Sequence, residues 1–174
     1  MKRAILIISV LIGPISLNAQ NLTMDQLLEI KKKDIGSAED YLAANGWEFM
    51  EESEPYWDKL GSVVYAFAMD YTIQRAESVL FYVYNDITSE IRIVVQVREK
   101  EKYSEYVKAI MDYDCEMVSS KVENNESVKL YQGAITTFMI RSGSSGNYFN
   151  EHSDVWTFSI FSNEDYDQNY GIDY

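Results

Sequence analysis

One cysteine, Cys115, and one histidine, His152, occur in the 174 residues. A lone cysteine excludes an intramolecular disulfide, and the lack of paired cysteines or histidines disfavours zinc and iron-sulfur sites. No glycine-rich phosphate loop is present, which argues against a nucleotide site. Cys115 alternates with Met117 in CEMVSS, the pattern of a buried and inert thiol. An intermolecular disulfide or a nucleophile are its other uses, and the last requires a positioned base. Basic residues are also few, 15 against 28 acidic ones. Such a charge repels phosphate backbones and anionic lipids, so neither nucleic acid nor a membrane surface is expected as a partner, and it serves solubility besides. These residues point to no cofactor and no metal.

Long apolar runs are missing except at the start, MKRAILIISVLIGPISLNA, where Lys2 and Arg3 precede an apolar stretch broken at Gly13-Pro14. These are the parts of a cleaved signal peptide, residues 1–19, with the cut expected between Ala19 and Gln20. The stretch is short for a bilayer span. Cleavage removes two basic residues and no acidic one, leaving 155 residues with 13 basic and 28 acidic side chains, a net charge of −15. The expected location is the bacterial periplasm or the medium, with nothing spanning the membrane after cleavage. That length suits one domain with a sizeable core, or two small repeats sharing one.

The best helix signal is Tyr103 to Asp112, where Tyr103, Tyr106, Val107, Ile110 and Met111 form one apolar stripe and Ser104 offers an N-cap. Thr23 with Gln26 is a capping box ahead of LLEI, and Ser37 with Asp40 a weaker one ahead of YLAA. Asn45-Gly46 ends that second helix, and Trp47 starts a strand. Further strands are expected at 63–69, 78–84, 91–97, 115–122, 128–132, 135–141 and 155–161, rich in β-branched and aromatic residues and bounded by polar turns such as Glu123 to Glu126. The fold class is therefore α+β: an antiparallel sheet of about eight strands with helices packed on one face.

The two halves share a layout. YLAANGWEF from Tyr41 and YVKAIMDYDCEM from Tyr106 each run from helix to strand, and each precedes three more strands. The chain divides accordingly into an N-terminal helical segment (20–36), a first unit (37–99), a second unit (100–162) and an acidic flexible tail (163–174). The two units are either tandem helix-plus-four-strand repeats or two independent uses of a common pattern. In element order and export, residues 37 to 162 resemble the tandem repeats of the β-lactamase inhibitory proteins. The resemblance implies a sheet surface, concave and aromatic, that grips another protein. It carries over no functional residue, and that family's disulfides are missing here.

Candidate chemistry is sparse. RSGSSGNYFNEHSD, from Arg141 to Asp154, gathers serines, Glu151, His152 and Asp154, yet Gly143 to Gly146 is not a Gly-x-Ser-x-Gly elbow. A flexible connection explains its content, and its length makes it a candidate binding loop. Asp165, Asp167 and Asn169 alternate as in a calcium loop, but Tyr170 stands where glycine is needed and no closing glutamate follows. Catalytic residues are thus not assigned. Tyrosine is the one excess, 14 residues. Both faces of strand 78–84 are apolar or aromatic. If Val79, Phe81 and Val83 face the helices, then Leu80, Tyr82 and Tyr84 join Arg92, Gln96 and Arg98 on an open face, and Tyr82, Tyr84, Arg92 and Arg98 are the candidate binding residues. The expected function is that of an exported binding module for a protein or glycan. The alternatives are an exported hydrolase using the 141–154 loop and a structural envelope protein.

Overall fold

The computed structural model describes residues 21–57, 59–85, 90–143 and 155–170. The expected signal peptide, His152 and most of the 141–154 loop lie outside these residues. Helix α1 (Met24–Ile30) opens on the Thr23 capping box: the Thr23 hydroxyl accepts from the Gln26 backbone and the Gln26 side chain accepts from the Thr23 backbone. Helix α2 (Ile35–Ala44) starts earlier than Ser37, because the Asp34 carboxylate accepts from both the backbone and the hydroxyl of Ser37. It stops at Asn45, where Gly46 turns left-handed at φ 82°.

Helix α3 (Lys100–Asp112) contains the expected stripe but begins before Ser104. Ser104 instead lies inside the helix and donates back to the Lys100 carbonyl at 2.9 Å. Only Tyr106 and Ile110 of the stripe are fully buried, and Met111 is 55 % exposed. The eight strands are β1 (Trp47–Ser53), β2 (Gly61–Phe67), β3 (Ser78–Tyr84), β4 (Ile91–Val97), β5 (Glu116–Glu123), β6 (Glu126–Gln132), β7 (Thr136–Gly143) and β8 (Val155–Ser162). They form one antiparallel sheet in the order β1-β2-β3-β4-β8-β7-β6-β5, two meanders joined where β4 meets β8. Each outer strand carries a bulge against its neighbour, after Phe49 opposite Tyr65 and after Met117 opposite Tyr131.

Pairing registers define the two faces, since partners across an antiparallel ladder point the same way. Val63, Tyr82, Ile93, Ile160, Phe138 and Tyr131 form one row across the sheet. That row packs with α1, α2 and α3 into the main core. Val64, Phe81, Val94, Ser159, Met139 and Leu130 form the neighbouring row on the far face. The far face is not left bare. Val64, Ala66, Ala76, Val79 and Val155 make one buried cluster there, and Val128, Leu130, Met139, Phe161 and Tyr166 make another. The second is capped by a fourth helix, α4 (Asn163–Asn169), so this part of the expected flexible tail is ordered and the helices occupy both faces. Its cause is local: the Ser162 hydroxyl accepts from the Asp165 backbone, Glu164 and Asp165 favour the N-terminal turn, and Tyr166 is buried edge-on against Phe161.

Candidate functional site

The orientation of β3 separates the four candidate binding residues. Tyr82 is 2 % exposed on the helix face, and its hydroxyl donates to the Lys33 carbonyl at 2.7 Å. Burial pushes its pKa up to about 12. Tyr84 shares that face, half-buried beside Tyr82. Arg92 and Arg98 point the other way, with Val83, Phe81 and Val79 of β3. The open Tyr-Arg face considered above is therefore not formed. The deciding force is the larger helix-side core, which takes Leu80 and Tyr82 and leaves the smaller far-face cluster to Val79 and Phe81. The two arginines are themselves apart: six residues of strand place them roughly 20 Å from each other.

Arg98 lines a cleft of about 320 Å³ with Asp70, Arg75 and Glu77 of the β2–β3 connection and with Glu99. Arg92 lines a larger one, about 380 Å³, at the opposite end of β4. Leu60 and Val83 supply its apolar walls, Asn85, Glu90 and Arg92 its strand-end polar groups, and Gln168, Asn169 and Tyr170 its α4 side.

Asp165 organises this second cleft. Its carboxylate takes both a 2.7 Å bond from Arg92 Nε and a 2.6 Å bond from Nη2, and a third of 2.9 Å from Asn169 Nδ2. Only 1 % of the Asp165 side chain and 12 % of the Arg92 side chain reach solvent. The guanidinium also lies near two rings, 5.8 Å from the Phe161 centroid and 5.6 Å from that of Tyr170. Burial opposes the Arg92 charge, but the bond and charge of Asp165 outweigh it and hold the guanidinium above its usual pKa.

Glu90 completes the group. Burial first, then the charge of Asp165 and a hydrogen bond to it, push the Glu90 carboxyl above its usual range. Lys31, at the end of α1, is pushed down by burial against the opposing pull of Asp165 and Glu90. The cleft thus presents an arginine already paired with its own carboxylate, an acid held above its usual pKa, side-chain amides and a tyrosine ring.

Elsewhere, Cys115 is half-buried, and burial pushes its thiol pKa up, the condition of an unreactive sulfur. Among the described residues no group of three or more histidine, cysteine or acidic side chains could hold a metal ion. None of their helices is long and apolar enough to cross a membrane. Of the cleft, sequence reasoning found Arg92 and missed Glu90 and Asp165, which are brought to it from the β3–β4 connection and from α4. Comparison with protein-family models, with curated proteins and with solved structures finds no match for this chain.

Proposed function

We propose that this protein is an exported binding module that takes a neutral, hydroxyl-rich ligand, the end of a glycan chain, in the cleft beside Arg92. The observation that carries this reading is the buried Arg92-Asp165 ion pair next to Tyr170. A site meant for an anion would leave its arginine uncompensated, and one meant for a cation would leave its carboxylates ionised and unpaired. Here the arginine is paired with a buried carboxylate, side-chain amides line the cleft and an aromatic ring lies beside them, the combination that suits sugar hydroxyls and sugar C–H faces. The hairpin that runs into Leu60 holds Tyr56 and Trp57 in solvent, 69 % and 81 % exposed, and Trp57 keeps a left-handed backbone at φ 56°. Those rings are suited to further sugar units of a longer chain.

Export from the signal expected at residues 1–19 gives the module access to envelope or extracellular glycans. The paired bulges opposite Tyr65 and Tyr131, one in each meander, support a tandem helix-plus-four-strand origin of the sheet. The resemblance in element order to the β-lactamase inhibitory proteins makes a protein partner the competing reading. A glycan array probed with the mature chain and with Tyr170→Ala tests the proposal. Retention of a glycan class by the first and its loss by an equally stable second supports it, whereas no retained glycan overturns it.

A further inference from the structure

The cleft beside Arg92 offers a ligand few groups, and each is of a fixed kind. The guanidinium meets Asp165 side-on, through Nε and Nη2, which leaves Nη1 on its other edge. Nη1 makes no bond to any of the described residues and is not sealed from solvent, so it is the donor that Arg92 keeps for the cleft it lines. Asn169, on the α4 side, is the acceptor. Its Nδ2 gives one hydrogen to the Asp165 carbonyl at 3.0 Å and the other to the Asp165 carboxylate at 2.9 Å. Both partners only accept, so the amide has one orientation, and Oδ1 is the atom left for a ligand. Gln168 repeats the arrangement, with its Nε2 given to Glu164 at 3.2 Å.

Leu60 and Val83 stand apart from these groups, two half-buried aliphatic side chains in a lining that is otherwise polar or aromatic. A hydroxyl set against them gives up water and gains no bond in return. Tyr170, 37 % exposed, supplies a ring. The volume of about 380 Å³ lies near the lower end of the range of ligand sites, about 300–1,000 Å³, which is room for one sugar unit and not for a chain.

One donor, one acceptor and an aliphatic wall are together what a secondary amide bearing a methyl group requires. We propose that the unit held in this cleft is a 2-acetamido sugar, a refinement that rests on the glycan reading above. Its carbonyl oxygen accepts from Arg92 Nη1, its N–H donates to Asn169 Oδ1, its methyl group lies against Leu60 and Val83, and the C–H groups of its ring lie on Tyr170. A sugar with a hydroxyl in place of the acetamido group leaves the aliphatic wall against a polar group, and one with a free amine brings a cation beside Arg92.

Calorimetric titration of the mature chain with the methyl glycosides of glucose and galactose, and with their 2-acetamido and 2-amino forms, tests the inference. One acetamido sugar is expected to bind at least about tenfold more tightly than its parent sugar, the discrimination that a buried methyl group gives, and the amino forms are expected not to bind. Val83→Thr keeps the shape of the wall and makes it polar, so it should shrink that preference to about threefold or less. Leu60→Asn, outside the strands, carries the same expectation and serves if Val83→Thr fails to fold. Equal binding of acetamido and parent sugars, or a preference that both variants leave intact, would overturn the inference and leave the glycan cleft standing. Binding of none of these sugars would overturn both.

Discussion

Arg92 and Asp165, 73 residues apart in sequence, meet as a bidentate ion pair that fastens α4 to the start of β4. Removing one partner leaves a buried charge without its counter-charge, which costs about 3–5 kcal/mol. Asp165→Ala is therefore expected to lower Tm by about 2–4 °C for each kcal/mol lost, given a domain of this size. Exchanging both residues for apolar ones, Arg92→Met with Asp165→Leu, is expected to cost far less, because the desolvation penalty goes with the charges. Thermal unfolding of the three chains checks the relation; equal losses in the single and double variants would contradict it.

Glu90 gives the protein a pH dependence of definite sign. Its carboxyl is held above the ordinary value of 4.5, so the folded state binds the proton more tightly than the unfolded chain does. Its contribution is then most favourable below that ordinary value and is lost as pH rises through the folded value. Glu90→Gln keeps the hydrogen-bonding shape and removes the ionisation, so it should raise Tm at pH 7 and give no advantage near pH 4. A Tm profile of the two chains reads this directly. A variant less stable than wild type at pH 7 would contradict it.

Tyr82 acts in the core. Tyr82→Phe strands the Lys33 carbonyl at the junction between α1 and α2 and is expected to cost about 1–3 kcal/mol, whereas Tyr82→Ala also opens a cavity and should cost about 3–5 kcal/mol. Denaturant titration separates the two. A small effect of the alanine variant would mean that the β3 side chains point the other way.

The orientation of β3 marks the limit of what patterning conveys. Segments 78–84 and 91–97 were legible to the residue, because β-branched and aromatic runs ended at polar turns, and the Thr23 box and the Asn45-Gly46 stop read correctly for the same local reasons. Ser78 to Tyr84 is apolar on both faces, however, so which face meets the helices depends on the rest of the core. α4 did announce itself, through Ser162 followed three residues later by Asp165, but the surrounding acidic residues read as a solvated tail. Arg92 was reached through the alternation of the 91–97 strand. Nothing local links it to Glu90 or Asp165, and their meeting is a consequence of strand order and of the turn into α4.

The cleft beside Arg92 can be tested by titrating the isotope-labelled mature chain with a panel of mono- and disaccharides and following its backbone amide resonances. The account predicts saturable shifts confined to Leu60, Val83, Asn85, Glu90, Arg92 and the Gln168–Tyr170 end of α4, abolished by Tyr170→Ala. Saturable shifts centred on another surface, or none with any sugar of the panel, would contradict it.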